Sequence, residues 1–264
     1  MQSKLNPLIS IIMNCHNGEK FLSESLRSII FQTYKNWELI FFDNNSSDNS
    51  VTIVKNLNDK RIKILKNKKY LTLYDARNLA IKKTKGTYIA FLDVDDTWEK
   101  SKLKTQINFL LKNKSFQLVY SNYFVKDQIR NIRYFKFRKK LKSGYITQQL
   151  LNDYTIGILT TLIRKKDLKK LNFNKRYNII GDFDCFVKMS LKNKIAYIDK
   201  PLATYRLHGD NFTLKNMKLY INEMSVWLKE NKPKYLKKNY SLMRQHWYLL
   251  KLKLKYIFKS FLGV

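Results

Sequence analysis

Over its first hundred residues the chain switches repeatedly between two hydrophobic periods, and few folds accept that alternation. Leu8-Ile9-Ser10-Ile11-Ile12-Met13 is a nearly continuous apolar run of strand length, Leu22, Leu26, Ile29 and Ile30 recur at helical spacing, and Glu38-Leu39-Ile40-Phe41-Phe42 returns to strand. The pattern continues with a short helix from Asp48 to Leu57, a strand from Arg61 to Leu65, a helix from Ala76 to Lys83 stopped at Gly86, and a strand from Thr87 to Leu92. Strands that are apolar on both faces need cover on both faces. The prediction is an α/β fold with a Rossmann-like, mostly parallel sheet flanked by helices.

After Trp98 the order loosens. A helix is predicted from Glu99 to Leu111, then a strand-like stretch from Gln117 to Val125 and a very basic stretch from Arg130 to Lys142. An apolar run from Ile156 to Ile163, a helix carrying Phe183, Val187, Met189 and Leu191, and a β-rich stretch from Ile195 to Leu207 follow. Beyond Phe212 only helical periodicity remains. The expected organisation is one domain over 1–212, with halves 1–110 and 111–212, and basic amphipathic helices over 213–264.

Composition bears on partners. With 52 Lys+Arg against 20 Asp+Glu the formal net charge is +32, which suits an anionic partner such as nucleic acid, anionic lipid or a phosphorylated substrate. AT-rich coding DNA would also enrich Lys, Asn, Ile, Tyr and Phe while leaving few glycines (7) and prolines (3), so part of the excess needs no selection for charge. Hydrophobic residues at 44% exclude a disordered tail, and two distant cysteines, Cys15 and Cys185, support neither a zinc site nor a disulfide framework. No secretion signal is visible, and the most tempting apolar stretch, Trp247 to Phe258, is interrupted by Lys251, Lys253 and Lys255. The expected location is the cytoplasm or a membrane surface.

Three carboxylates, Asp93, Asp95 and Asp96, follow the strand that ends at Leu92. Ligands of open α/β sheets bind at that end, and a hard cation needs only one or two carboxylates plus substrate phosphates. Asp96-Thr97-Trp98-Glu99 also has capping-box spacing, so Asp96 is expected to cap a helix while Asp93 and Asp95 face the ligand. Asp43 closes the second strand, and Asn14, Cys15, His16 and Asn17 close the first. Asp, Asn and Ser clusters commonly make only turns and caps. Together, however, these groups outline a polar crevice along the strand ends, a shape that suits a nucleotide.

These segments carry a family resemblance. Ser10-Ile11-Ile12-Met13-Asn14-Cys15-His16-Asn17, Gln32-Thr33-Tyr34, Asn36-Trp37-Glu38-Leu39-Ile40, Asp43-Asn44-Asn45-Ser46-Ser47-Asp48, Ala76-Arg77-Asn78 and Gly86 through Asp96 resemble, in order and spacing, the blocks of a family 2 glycosyltransferase. Weaker matches run to about residue 213. The resemblance implies a GT-A fold, a nucleotide-sugar donor, most commonly a UDP-sugar, a Mg²⁺ or Mn²⁺ cofactor and inversion at the anomeric carbon. Residues 1–110 become the nucleotide-sugar half and 111–212 the acceptor half. Asp43 would hydrogen-bond the base, Asp93 the ribose side, and Asp95 the metal, with Asp96 as the alternative in register; Arg77 lies where the family's basic residue approaches the donor. Asp182, in Ile180-Gly181-Asp182-Phe183-Asp184, matches the catalytic base, although alone it also reads as a helix cap. His208, in Tyr205-Arg206-Leu207-His208, becomes a metal ligand or phosphate contact.

Three departures stand out. Asn14 replaces a common Pro, His16 a Tyr near the base, and Gly181 the Glu before the proposed base. No Gln-x-x-Arg-Trp segment of processive synthases is found, so single-sugar addition to a glycan or lipid-linked glycan in cell-surface assembly is expected. The alternative is a basic nucleic-acid-binding protein, with Arg130 to Lys142 as its footprint and Tyr134, Phe135 and Phe137 as stacking groups. It is disfavoured by an acidic crevice and by the absence of any recognisable nucleic-acid-binding motif. Finally, Met243, Trp247, Leu250, Leu254, Ile257 and Phe261 form one apolar stripe, with Lys251, Lys255 and Lys259 pointing away. Such a helix either docks on an anionic membrane or packs its stripe against protein.

Overall fold

The structure, a computed structural model, describes the backbone of residues 6–261 and the side chains of residues 6–258. The first part contains β1 (Ile9–Cys15), α1 (Glu19–Ile30), β2 (Trp37–Asp43), α2 (Ser50–Asn56), β3 (Ile62–Lys66), α3 (Leu73–Lys82) and β4 (Tyr88–Phe91). All of its strand pairings are parallel, with β1 between β2 and β4 and β3 outside β2. The two-residue period of β1 sends Ile9, Ile11, Met13 and Cys15 into one apolar core and Ile12 into the other, and helices cover both. Gly86 lets the chain enter β4. A Cβ there would lie 2.6 Å from the Leu8 carbonyl oxygen.

The second part adds β5 (Thr97–Trp98), α4 (Lys102–Lys112), β6 (Phe116–Asp127), β7 (Ile132–Phe135), α5 (Thr147–Asn152), β8 (Leu162–Arg164), α6 (Lys165–Leu171), α7 (Gly181–Ser190) and β9 (Lys194–Leu207). One sheet runs β3-β2-β1-β4-β8-β6-β9-β5, with β7 hairpinned onto β6. The short β8 is antiparallel to both β4 and β6, joining the parallel strands of the first part to the long parallel β6–β9 pair. The α8 (Phe212–Lys215), α9 (Met217–Leu236) and α10 (Met243–Phe261) helices follow. Of these, α9 and α10 share the main core: Trp227 is fully buried and its indole N–H donates to Asp184 at 2.8 Å.

Several sequence expectations need correction. Asp96 caps no helix: Thr97 and Trp98 form β5 against β9, α4 starts only at Lys102, and an Asp96 carboxylate oxygen accepts the backbone N–H of Arg206 at 2.9 Å. Likewise α3 begins at Leu73 rather than Ala76, because the Thr72 hydroxyl accepts from the Asp75 backbone N–H and caps it. The apolar Ile156 to Ile163 run, for which the sequence reading named no element, is loop and one 3₁₀ turn leading into β8. Within the basic stretch, Tyr134 and Phe137 pack against the apolar cores and only Phe135 stands open, so the three aromatics do not make one stacking face.

Candidate active site

The carboxyl ends of β1, β2 and β4 open into a crevice of about 580 Å³. Asn14 is the last residue but one of the buried β1, and its side-chain amide has no hydrogen-bond partner at either atom among the described residues. A buried amide left unsatisfied by the protein at a crevice wall is suited to a ligand that can both accept and donate. Next to it His16 is exposed, with Nδ1 3.0 Å from the Asn44 carbonyl oxygen, and its ring meets Tyr70 edge-on at 4.7 Å. Together the two rings offer an aromatic wall to a planar base. Asn44 fixes the loop bearing Tyr70 by exchanging hydrogen bonds of 2.9 and 3.0 Å with the Leu71 backbone.

The acidic cluster divides into distinct roles. Asp93 is held at 2.6 Å by Arg77, whose guanidinium is buried against Tyr74 and Phe91. The half-buried Asp95 has its Oδ2 3.1 Å from His208 Nε2 and 3.4 Å from the Asn211 amide nitrogen. His208 Nδ1 accepts the Asp210 backbone N–H at 3.2 Å, which leaves the imidazole proton on Nε2 to donate to Asp95. In this arrangement neither ring nitrogen has a free lone pair, and His208 orients Asp95. Burial, and then the charge of Asp93, raise the pKa of Asp95; burial raises that of Asp96 still further. No group of three His, Cys, Asp or Glu side chains suited to a metal occurs among the described residues. The donor set does fit a hard cation held by one carboxylate together with substrate phosphates.

Asp182 sits in the first turn of α7 without capping it. Its Oδ1 lies 3.0 Å from the Tyr74 hydroxyl and its Oδ2 3.1 Å from the Tyr154 hydroxyl. Burial raises its pKa, while the nearby Arg77 charge and both tyrosine hydrogen bonds pull it down. Gly181 makes this possible, since a Cβ there would lie 2.4 Å from a Tyr74 ring carbon. Where the family has Glu, this chain has an absent side chain and a tyrosine in its space. A second cavity, of about 430 Å³, is lined by Asp182, Tyr154, Tyr220, Gln245 and Tyr248. It and the crevice share Lys136, Ile179, Asp182 and Thr213.

Of the residues singled out in the sequence, Asn14, His16, Arg77, Asp93, Asp95, Asp96 and Asp182 line the crevice together. Asp43 does not: it is buried at the end of β2, where its Oδ1 accepts the Ser46 backbone N–H at 3.1 Å. His208 reaches the crevice only through Asp95. Sequence reading missed Tyr70, Tyr74, Tyr154, Asn211 and Glu223. Tyr74 had a usable signal, one helical turn before Arg77. Asn211 lies three residues after His208, whereas Tyr154 and Glu223 reach the site only through tertiary packing.

Residues 10–186 match the family model described as Glycosyl transferase family 2. The Escherichia coli UDP-Glc:alpha-D-GlcNAc-diphosphoundecaprenol beta-1,3-glucosyltransferase WfgD is 40% identical over 166 residues, 63% of this chain and 64% of that protein. The E. coli enzyme WfaP, named for the same activity, is 30% identical over 220 residues, 83% of this chain and 85% of its own length. This chain thus spans less than two thirds of the first relative. Among solved structures, S. aureus TarS 1-349 in complex with UDP-GlcNAc superimposes with a TM-score of 0.65 at 19% identity, covering 83% of this chain and 66% of that one. The Pyrobaculum calidifontis mannosyltransferase PcManGT, in complex with GDP-Man and Mn2+, gives 0.69 at 13% identity over 93% and 70% of the two chains. A family match over that span, on a sheet shared with GT-A enzymes, makes this chain a member of glycosyltransferase family 2.

Proposed function

We propose that this glycosyltransferase inverts the anomeric carbon of a UDP-sugar while moving one sugar to the hydroxyl of a lipid-linked glycan acceptor during polysaccharide assembly. The observation that carries the reading is the meeting of two cavities at one carboxylate, Asp182. The donor occupies the crevice, its base against His16 and Tyr70, its polar edge on Asn14, and its ribose on Asp93, which Arg77 holds in place. Asp95, oriented by His208 and Asn211, would hold a Mg²⁺ or Mn²⁺ ion. When bound, such an ion supplies neutralisation of charge on the leaving diphosphate. The acceptor enters the second cavity, built by the 111–212 half and by Tyr220, Gln245 and Tyr248 beyond it. Asp182 then removes the proton of its hydroxyl as the new bond forms, with Tyr74 and Tyr154 fixing the carboxylate. No covalent intermediate is needed.

The UDP and lipid-linked assignments are supported by the names of the two E. coli relatives, and a lipid-linked acceptor would have this enzyme work at the inner face of the membrane. A panel of UDP-, GDP-, CMP- and dTDP-sugars, screened for hydrolysis and transfer with and without Mn²⁺, tests the donor; selective turnover of a non-UDP sugar would overturn it. Asp182→Asn should retain donor binding by calorimetry and lose transfer by at least ~10². An equal loss of nucleotide binding would move Asp182 out of the base role.

A further inference from the structure

The outer face of α10 is apolar and, among the described residues, uncovered. Met243, Trp247, Leu250, Leu254, Ile257 and Phe258 are exposed by between 45% (Leu250) and 67% (Met243). The side chains of Lys259 and Phe261, which extend the pattern in sequence, lie outside the described residues. The helix is anchored by another face: Leu242, Gln245 and Leu249 are buried, and the Gln245 amide donates to the Leu151 carbonyl at the end of α5 at 2.8 Å. At 3.6 residues per turn the two faces are roughly 130° apart, so the stripe does not pack on its own domain. Exposed Leu236 at the end of α9 adjoins it, together lining a shallow apolar groove with Leu242, Met243, Trp247 and Leu250.

Charge decides what could cover such a face. From Asn231 to Val264 the sequence has no Asp or Glu and nine Lys or Arg residues: Lys232, Lys234, Lys237, Lys238, Arg244, Lys251, Lys253, Lys255 and Lys259. Exposed Lys251 and Lys253 flank the stripe on opposite sides, where their stems can lie along an apolar layer while the ammonium groups reach outward. A second copy would bring two like-charged surfaces together. An anionic lipid surface meets both halves of the pattern, acyl chains for Trp247 and the leucines and headgroup phosphates for the lysines.

We propose that α10 docks this enzyme on an anionic bilayer through the Met243–Phe258 stripe. Docking rests on the stripe and its charge, and stands or falls separately from the acceptor's identity. The test is sedimentation of the full chain with vesicles of phosphatidylcholine alone or mixed with phosphatidylglycerol, over a NaCl series. Acyl-brominated lipids add a second readout, because Trp37, Trp98 and Trp227 are buried while Trp247 is 58% exposed, so quenching reads that one indole. Expected are salt-sensitive binding to the anionic vesicles and quenched Trp247. A Leu250→Ser/Leu254→Ser double variant, changed only at exposed positions and melting like wild type, should lose at least tenfold in partitioning. Lack of vesicle binding, unquenched Trp247, or binding undiminished in the double variant would overturn docking through the stripe. So would a wild-type dimer by light scattering that the double variant converts to monomer, since the stripe would then be a contact between copies.

Discussion

At the residue scale, the Asp182 carboxylate is tuned by opposing influences. Burial raises its pKa, and the hydrogen bonds from Tyr74 and Tyr154 favour the charged form. A base must be deprotonated to work, so activity falls as pH drops through the pKa of Asp182. Removing a donor to the carboxylate raises that pKa and moves the acid limb upward. Tyr154→Phe should therefore shift the acid limb of the kcat profile to higher pH by about one unit, the worth of one hydrogen bond to a charged group. A limb that stays in place would show that Tyr154 shapes the pocket without acting on Asp182. The sequence displayed Asp182 and the missing Glu at Gly181, yet gave no hint that Tyr74 fills the space. A departure that reads as a lost charge is, in three dimensions, room for an aromatic hydroxyl on the same carboxylate.

At the scale of elements, α9 fixes the entry to α7. The Glu223 carboxylate accepts the backbone N–H groups of Asn178, Ile179 and Ile180 at 2.6, 3.0 and 3.1 Å, directly before Asp182. N–H groups at a helix start otherwise lack partners, and a carboxylate there also meets the positive end of the helix dipole. Glu223→Ala leaves these donors unpaired, buried at Ile180 and half-buried at Asn178 and Ile179, a cost of about 1–3 kcal/mol for each one that water does not reach. It should lower both Tm and kcat, with Glu223→Gln intermediate; wild-type melting in the Ala variant would remove this anchor. Such a partnership is invisible to periodicity, since Glu223 is one acidic residue on a helix with no acid in its first turn. What periodicity does report is local. It marks β1, β2 and β4, whose runs are apolar on both faces, and so foretells which ends carry Asn14, Asp43 and Asp93. It does not mark β5, because two residues have no period, and the capping spacing of Asp96 to Glu99 misleads at that point. Thr97 and Trp98 are claimed instead by the edge of β9.

At the scale of the whole molecule, the net charge of +32 sets a balance that salt should expose. Four ion pairs among the described residues have both partners open to solvent, Lys20–Asp210, Lys215–Asp210, Arg176–Glu230 and Arg133–Glu99, and pairs of that kind contribute little. The larger electrostatic effect is mutual repulsion among lysines, which is stronger in the folded chain than in the expanded one. Raising ionic strength from 0.01 to 0.15 M shortens the screening length from about 30 to about 8 Å, so repulsion over the surface is cut while contacts of 3 Å are barely touched. Melting temperature should therefore rise with NaCl across this range, by about 2–4 °C for each kcal/mol of repulsion screened. The same salt should weaken adhesion of the basic α9–α10 end to anionic vesicles, giving two opposite slopes from one charge distribution. Calorimetric melts at both salt concentrations provide the check. A melting temperature that is flat or falls with salt would mean that attractive pairs outweigh repulsion, and that the lysine excess leaves the fold unstrained.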